Sequence, residues 1–74
     1  MPVQIIPDRS GDTRHQFDAA VPAEVTEAEK RFNEMIGKGR AAIALGENGA
    51  PGKIIRKFDP TVERTLFQPP LQGG

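Results

Sequence analysis

Apolar positions along the chain recur in two rhythms. Between Pro22 and Ile36 they fall three and four residues apart. Val25, Ala28, Phe32, Met35 and Ile36 form one stripe, with Glu27, Lys30, Arg31 and Glu34 on the remaining faces. That spacing predicts one amphipathic helix, because residues three and four apart share a face of a 3.6-residue turn. Pro22 suits the first turn, where its missing N–H costs nothing, and Glu24 and Glu27 suit the positive end of the helix dipole. Gly37 and Gly39, interleaved with Lys38 and Arg40, predict the stop: glycine for a left-handed cap, cations for the carbonyl end.

Elsewhere the rhythm is two. Val3 to Pro7 is rich in β-branched residues and reads as a strand. Asp8-Arg9-Ser10-Gly11 is turn chemistry, and Asp12 to Phe17 alternates as the second arm of a hairpin. Thr13, His15 and Phe17 share one face of it; Arg14 and Gln16 share the other. Ala41 to Leu45 alternates through Ala41, Ile43 and Leu45. Lys53 to Phe58 reads as its returning strand, across a loop in which Asn48-Gly49 is the strongest turn signal. Asp59-Pro60 breaks that strand, and Arg64 to Gln68 is a last short one. The pattern predicts an α+β domain over residues 1–68, one helix on a small mixed or antiparallel sheet, then an extended Pro/Gly tail over 69–74. The core candidates are Val3, Ile5, Ile6, Phe17, Val25, Phe32, Ile36, Ile43, Leu45, Ile54, Ile55, Phe58, Leu66 and Phe67.

Composition narrows the function classes. The 74 residues suffice for one domain, which at this size buries only about 60% of its unfolded surface. A core this light leaves little with which to enclose a deep substrate pocket, so the expectation is a protein that is not itself an enzyme and needs no cofactor. Ten Lys and Arg balance ten Asp and Glu. A neutral chain argues against nucleic acid as the partner, since phosphate neutralisation needs surplus positive charge. There is no cysteine, hence no disulfide framework, thiol nucleophile or thiolate metal site. No apolar run has the length of a membrane span. Met1-Pro2-Val3-Gln4 lacks the basic and apolar regions of a signal peptide, so a cytoplasmic protein is expected.

Candidate chemistry is sparse. His15 is the single histidine, and a general base needs a nucleophile within hydrogen-bond reach. Ser10 is near in sequence, but strand geometry turns neighbouring side chains apart. Asp8, Ser10 and Asp12 have the spacing that opens a calcium loop. Thr13 and Ala19 stand where that loop needs glycine and a bidentate glutamate, so the match fails. Nothing in the spacing of Asp12, Asp18 and Asp59 predicts a metal site. The Gly46 to Gly52 loop has no Lys-Ser/Thr ending and no helix after it, so it is no phosphate loop. Lys53, Arg56 and Lys57, with Arg40 and Lys38 nearby, form a small basic cluster suited to an acidic protein partner or to guarding a sheet edge.

The tail is the informative segment. Leu66-Phe67-Gln68-Pro69-Pro70-Leu71-Gln72-Gly73-Gly74 resembles the end of the small subunit of molybdopterin synthase: a short strand, a proline stretch, an aliphatic residue, a spacer and Gly-Gly. It is also similar to the ubiquitin end. Element order, a hairpin then a helix then further strands, is that of the β-grasp fold both families share. The resemblance implies a carrier or modifier whose terminal glycines, Gly73 and Gly74, do the work. The Gly74 carboxylate would be adenylated by an activating enzyme using ATP, then become a thiocarboxylate, an ester or an amide. An arm without side chains can thread a narrow channel, and Pro69 and Pro70 keep it projecting at low entropy cost. Basic residues are absent after Arg64, unlike the ubiquitin arm. Two arrangements stay open. In a β-grasp, the first and last strands pair in parallel near the sheet centre; in a simpler ββαββ layer, the last segment is an unpaired arm and Leu66 to Pro70 stays solvated. The alternative function is a protein-interaction module, or a subunit of a bacterial or phage assembly, without tail chemistry.

Overall fold

The structure, a computed structural model, describes residues 1–46 and 52–70. The expected Asn48-Gly49 turn and the tail residues Leu71 to Gly74 lie outside them. Chain order is β1 (Val3–Asp8), β2 (Gly11–Gln16), α1 (Pro22–Gly37), β3 (Ala41–Ala44), β4 (Lys53–Ile55) and β5 (Arg64–Gln68). The five strands form one sheet in the order β2-β1-β5-β3-β4. β1 and β5 run parallel, and every other neighbouring pair is antiparallel. The last strand therefore fills the centre, between the hairpin on one side and β3 with β4 on the other. A solvated arm from Leu66 onward is not what forms: Leu66 pairs with both Ile5 and Ile43, and Phe67 is buried.

Helix α1 begins as its sequence requires, with Pro22 at its first position and Glu24 in its first turn. The Glu24 carboxylate accepts from the Asp18 backbone N–H at 3.0 Å, which ties the entering chain to the helix. At the other end, the Gly39 N–H donates to the Ile36 carbonyl at 3.0 Å and the Arg40 N–H to the Met35 carbonyl at 3.1 Å. This pair of bonds is a Schellman cap, which needs a left-handed residue between them. Gly39 supplies it at φ +85°. The expectation that Arg40 neutralises the helix carbonyls is corrected: the cap turns its side chain toward the sheet instead.

The core lies between α1 and one sheet face. Phe32, Met35, Ala42 and Phe67 form its centre, with Ile6, Ile55 and Phe58 packed against them. Phe32 meets Phe67 edge-on with ring centres 5.7 Å apart, and Phe58 at 5.9 Å. Two core expectations are overturned: Ile36 is 37% and Ile54 70% exposed. The buried Ala28, Met35 and Ala42 were not among the candidates, nor were the buried polar residues Gln4 and Thr65. Ala28 and Ala42 win their places because a helix can approach a sheet closely only over short side chains, and Gln4 is admitted because its amide is hydrogen-bonded there. β4 is also shorter than expected, ending at Ile55. The chain bends at Arg56 and Lys57 so that Phe58 can turn onto Phe17 and Phe32.

Candidate functional site

One helix covers one face of the sheet, and strand alternation decides what the other face shows. The Gln4 side-chain N–H donates to the Ala28 carbonyl in α1 at 2.9 Å, so Gln4 points to the helix. Its neighbours Val3, Ile5 and Pro7 consequently point to the opposite face. The register carries this across the sheet. Ile5 lies opposite Arg14 on β2 and Leu66 on β5. Leu66 lies opposite Ile43 on β3, and Ile43 opposite Ile54 on β4. One row, Arg14–Ile5–Leu66–Ile43–Ile54, crosses all five strands and spans roughly 19 Å at the usual strand spacing. Beside it lies Arg64, level with Val3, whose guanidinium donates to the Gly46 carbonyl at 2.9 Å.

The row is an aliphatic strip with arginines at one end and one side. Ile5 is nearly covered by its neighbours, whereas Ile54, on the short edge strand, is 70% exposed. None of Ile5, Leu66, Ile43 and Ile54 belongs to the core cluster under α1. Composition hid this strip, because counting aliphatic residues does not say which face a helix covers. The signal that could have found it is the second apolar set on each strand: Val3 and Ile5, Ile43 and Leu45, Leu66.

The basic residues do not gather. Lys53 lies opposite Ala44 on the helix side of the sheet edge, and Arg56 and Lys57 stand exposed in the bend after β4. The Arg40 guanidinium turns away from them, across the end of β5 to β1. Its Nη1 donates to the Pro7 carbonyl at 3.0 Å and the Phe67 carbonyl at 3.1 Å. A cleft lined by Pro7, Asp8, Arg9, Arg40, Pro69 and Pro70 opens there, where the tail leaves the sheet. Gly73 and Gly74 themselves lie outside the described residues.

His15 lies opposite Gln4, on the helix side. Burial, and then the positive charge of Arg31, push its pKa below the ordinary value of 6.5. The Asp18 carboxylate accepts from the Ala20 N–H at 2.9 Å. The Asp59 carboxylate accepts from the Thr61 hydroxyl at 2.6 Å and the Thr61 N–H at 2.9 Å, which together hold its pKa below 3.8. These acids are turn-formers, and among the described residues no three acidic or histidine groups are placed to share a metal ion. No helix among them is long and apolar enough to cross a membrane. Set against known proteins, the chain matches no family model, no curated protein and no solved structure.

Proposed function

We propose that this chain is a β-grasp carrier or modifier of the ubiquitin-like kind, which presents Gly74 to a separate activating enzyme. The observation that carries the reading is the place of β5. It runs parallel to β1 at the centre of the sheet, with neighbours on both sides. The tail thus starts from a strand paired on both sides rather than from a loose edge.

On this reading the Gly74 carboxylate attacks the α-phosphorus of ATP and expels pyrophosphate. The resulting acyl-adenylate then yields to a sulfur, oxygen or nitrogen nucleophile with loss of AMP. The carrier supplies no acid or base. Its contribution is the arm and the aliphatic row from Ile5 to Ile54, which seats the enzyme. Burying an exposed side chain such as Ile54 is worth about 1–2 kcal/mol, given that full burial of an isoleucine yields about 1.5–3 kcal/mol.

Intact mass of the protein isolated from its own cells tests the proposal. The expected result is a population with oxygen replaced by sulfur at the terminal carboxylate, or conjugates joined through Gly74. Deleting Gly74 should abolish both while leaving the fold intact. The second reading, a docking module without tail chemistry, draws on the aliphatic row, which is open to solvent at Ile54. It predicts an unmodified terminus, and partner binding that survives the deletion of Gly74 but not Ile54→Asp.

A further inference from the structure

The parallel ladder between β1 and β5 stops for a chemical reason. In a parallel pair, a residue donates to the carbonyl one position before its partner and accepts from the N–H one position after. The Val3 N–H follows this rule, donating to the Glu63 carbonyl at 2.8 Å while Val3 stands opposite Arg64. Two residues on, Ile5 stands opposite Leu66. The next rung would need an N–H on residue 7 for the Phe67 carbonyl, and an N–H on residue 69 for the Pro7 carbonyl. Both positions are proline, and neither has one. Two carbonyls, Phe67 and Pro7, are left facing a gap without their ladder donors. They are the two carbonyls to which Arg40 Nη1 donates.

We infer that Pro7, Pro69 and Arg40 form a designed stop that fixes where the tail begins, with Arg40 as its positioning residue. The two prolines bar the tail from zipping onto the end of β1. Arg40 replaces both missing main-chain donors through one nitrogen, so the strand ends stay closed without the tail being drawn into the sheet. The Schellman cap at Gly39 delivers Arg40 to this place, and Gly39 lies against the departing tail: a Cβ built on it would stand 3.7 Å from the Pro70 Cβ. Without the stop, each further residue taken into the sheet would shorten the free arm by about 3.3 Å. This deepens the carrier proposal, and rests on it only for the use made of the arm. The test below is made on the isolated chain, so its failure would leave Gly74 chemistry untouched, and the converse also holds.

Amide hydrogen exchange by NMR separates this role from ordinary packing. Arg40→Gln in the natural chain should speed exchange of the Ile5 and Phe67 amides about 10-fold, as expected for losing hydrogen bonds to a charged donor. In the Pro7→Ala/Pro69→Ala background the main chain regains its own donors. The amides at positions 7 and 69 should then be protected, and Arg40→Gln should speed exchange at Ile5 and Phe67 by less than about 3-fold, the signature of a shared function. Arg40→Lys, which keeps a cationic donor, should fall between Arg40→Gln and the natural chain. Unprotected amides at 7 and 69, or an equal effect of Arg40→Gln in both backgrounds, would overturn the inference. Should Arg40→Gln fail to fold alone, protection of the amides at 7 and 69 in the two-alanine variant still decides it.

Discussion

Gln4 is the polar residue on which the helix–sheet contact turns, and its donor and acceptor have different jobs. It is 1% exposed. Its N–H donates to the Ala28 carbonyl at 2.9 Å, and its carbonyl accepts from Arg31 at 2.8 Å. Gln4→Glu keeps the shape, keeps the acceptor for Arg31 and replaces the donor by an oxygen aimed at a carbonyl oxygen. Losing the neutral bond costs about 1 kcal/mol, and the buried oxygen left facing another adds about 1–3 kcal/mol. The stronger charged bond to Arg31 returns about 1 kcal/mol. The net loss is about 2 kcal/mol, a fall in Tm of roughly 8–16 °C for a domain of this size. Gln4→Met should cost less, under about 1.5 kcal/mol, because Ala28 keeps its bond within the helix and the half-buried Arg31 reaches water. The pH dependence carries the sign. A protonated carboxyl can donate to Ala28 again, so the introduced group should have a folded pKa above its unfolded value of about 4.3. The deficit relative to the natural chain should be small below that value and grow as pH rises through the folded one. Urea melts of the three proteins between pH 4 and 7 measure it. A Gln4→Glu chain as stable as the natural one at pH 7, or a deficit that grows on acidification, would show that the Arg31 charge dominates and refute the reasoning.

Three further outcomes are expected. Ile54→Asp should change stability by less than about 0.5 kcal/mol, since the side chain is 70% exposed, yet abolish recovery of bound partner in pull-downs from the native cells. Gly39→Ala forces a Cβ into a left-handed cap at φ +85° and should cost about 1–2 kcal/mol in denaturant melts, with faster exchange at Phe67 as Arg40 loses its aim. The pKa of His15 is lowered by burial and Arg31, so the unfolded chain binds more protons below pH 6.5. Stability should therefore rise with pH from the lowered folded value up to 6.5, then level off. His15→Gln should flatten that slope in urea melts across pH 5–7.5, and a slope that persists would place its origin elsewhere.

The helix and its ends were legible because their signals are local. Pro22, the stripe from Val25 to Ile36 and the glycine stop each act over one or two turns, and α1 runs Pro22–Gly37. The hairpin was legible for the same reason, with Asp8 and Gly11 closing a two-residue turn. Which face of the sheet is the core was not. Alternation tells that Ala41, Ile43 and Leu45 share a face; only the position of α1 tells that Ala42 lies beneath it. Hence Ile54 was expected inside and stands outside, while Ala42 fills the core. Gln4 escaped notice because a buried amide is intelligible only once the Ala28 carbonyl, 24 residues away, is beside it. In the sequence Arg40 stands out only as one charge among others, whereas the role inferred for it arises from the absence of two N–H groups on Pro7 and Pro69. No window of sequence around Arg40 contains that fact.

The two faces of β5 then bear on how a partner would handle the tail. Leu66 looks to the aliphatic row, and Phe67, the next residue, looks into the core while Arg40 holds its carbonyl. A partner seated on the row therefore rests within one residue of the point where the ladder ends. From Leu66 to Gly74 the chain adds eight residues, a reach of at most about 29 Å when fully extended. The row itself is roughly 19 Å across. A surface large enough to cover the row thus also lies within range of residue 74, so on the carrier proposal one partner would hold the domain and act on its end together. Shortening that range by even two residues, as zipping past Pro69 would, removes about 7 Å from the arm without touching the docking row. On the carrier proposal, binding and tail processing should then separate: the Pro7→Ala/Pro69→Ala chain should still bind the activating enzyme, with weaker processing at Gly74.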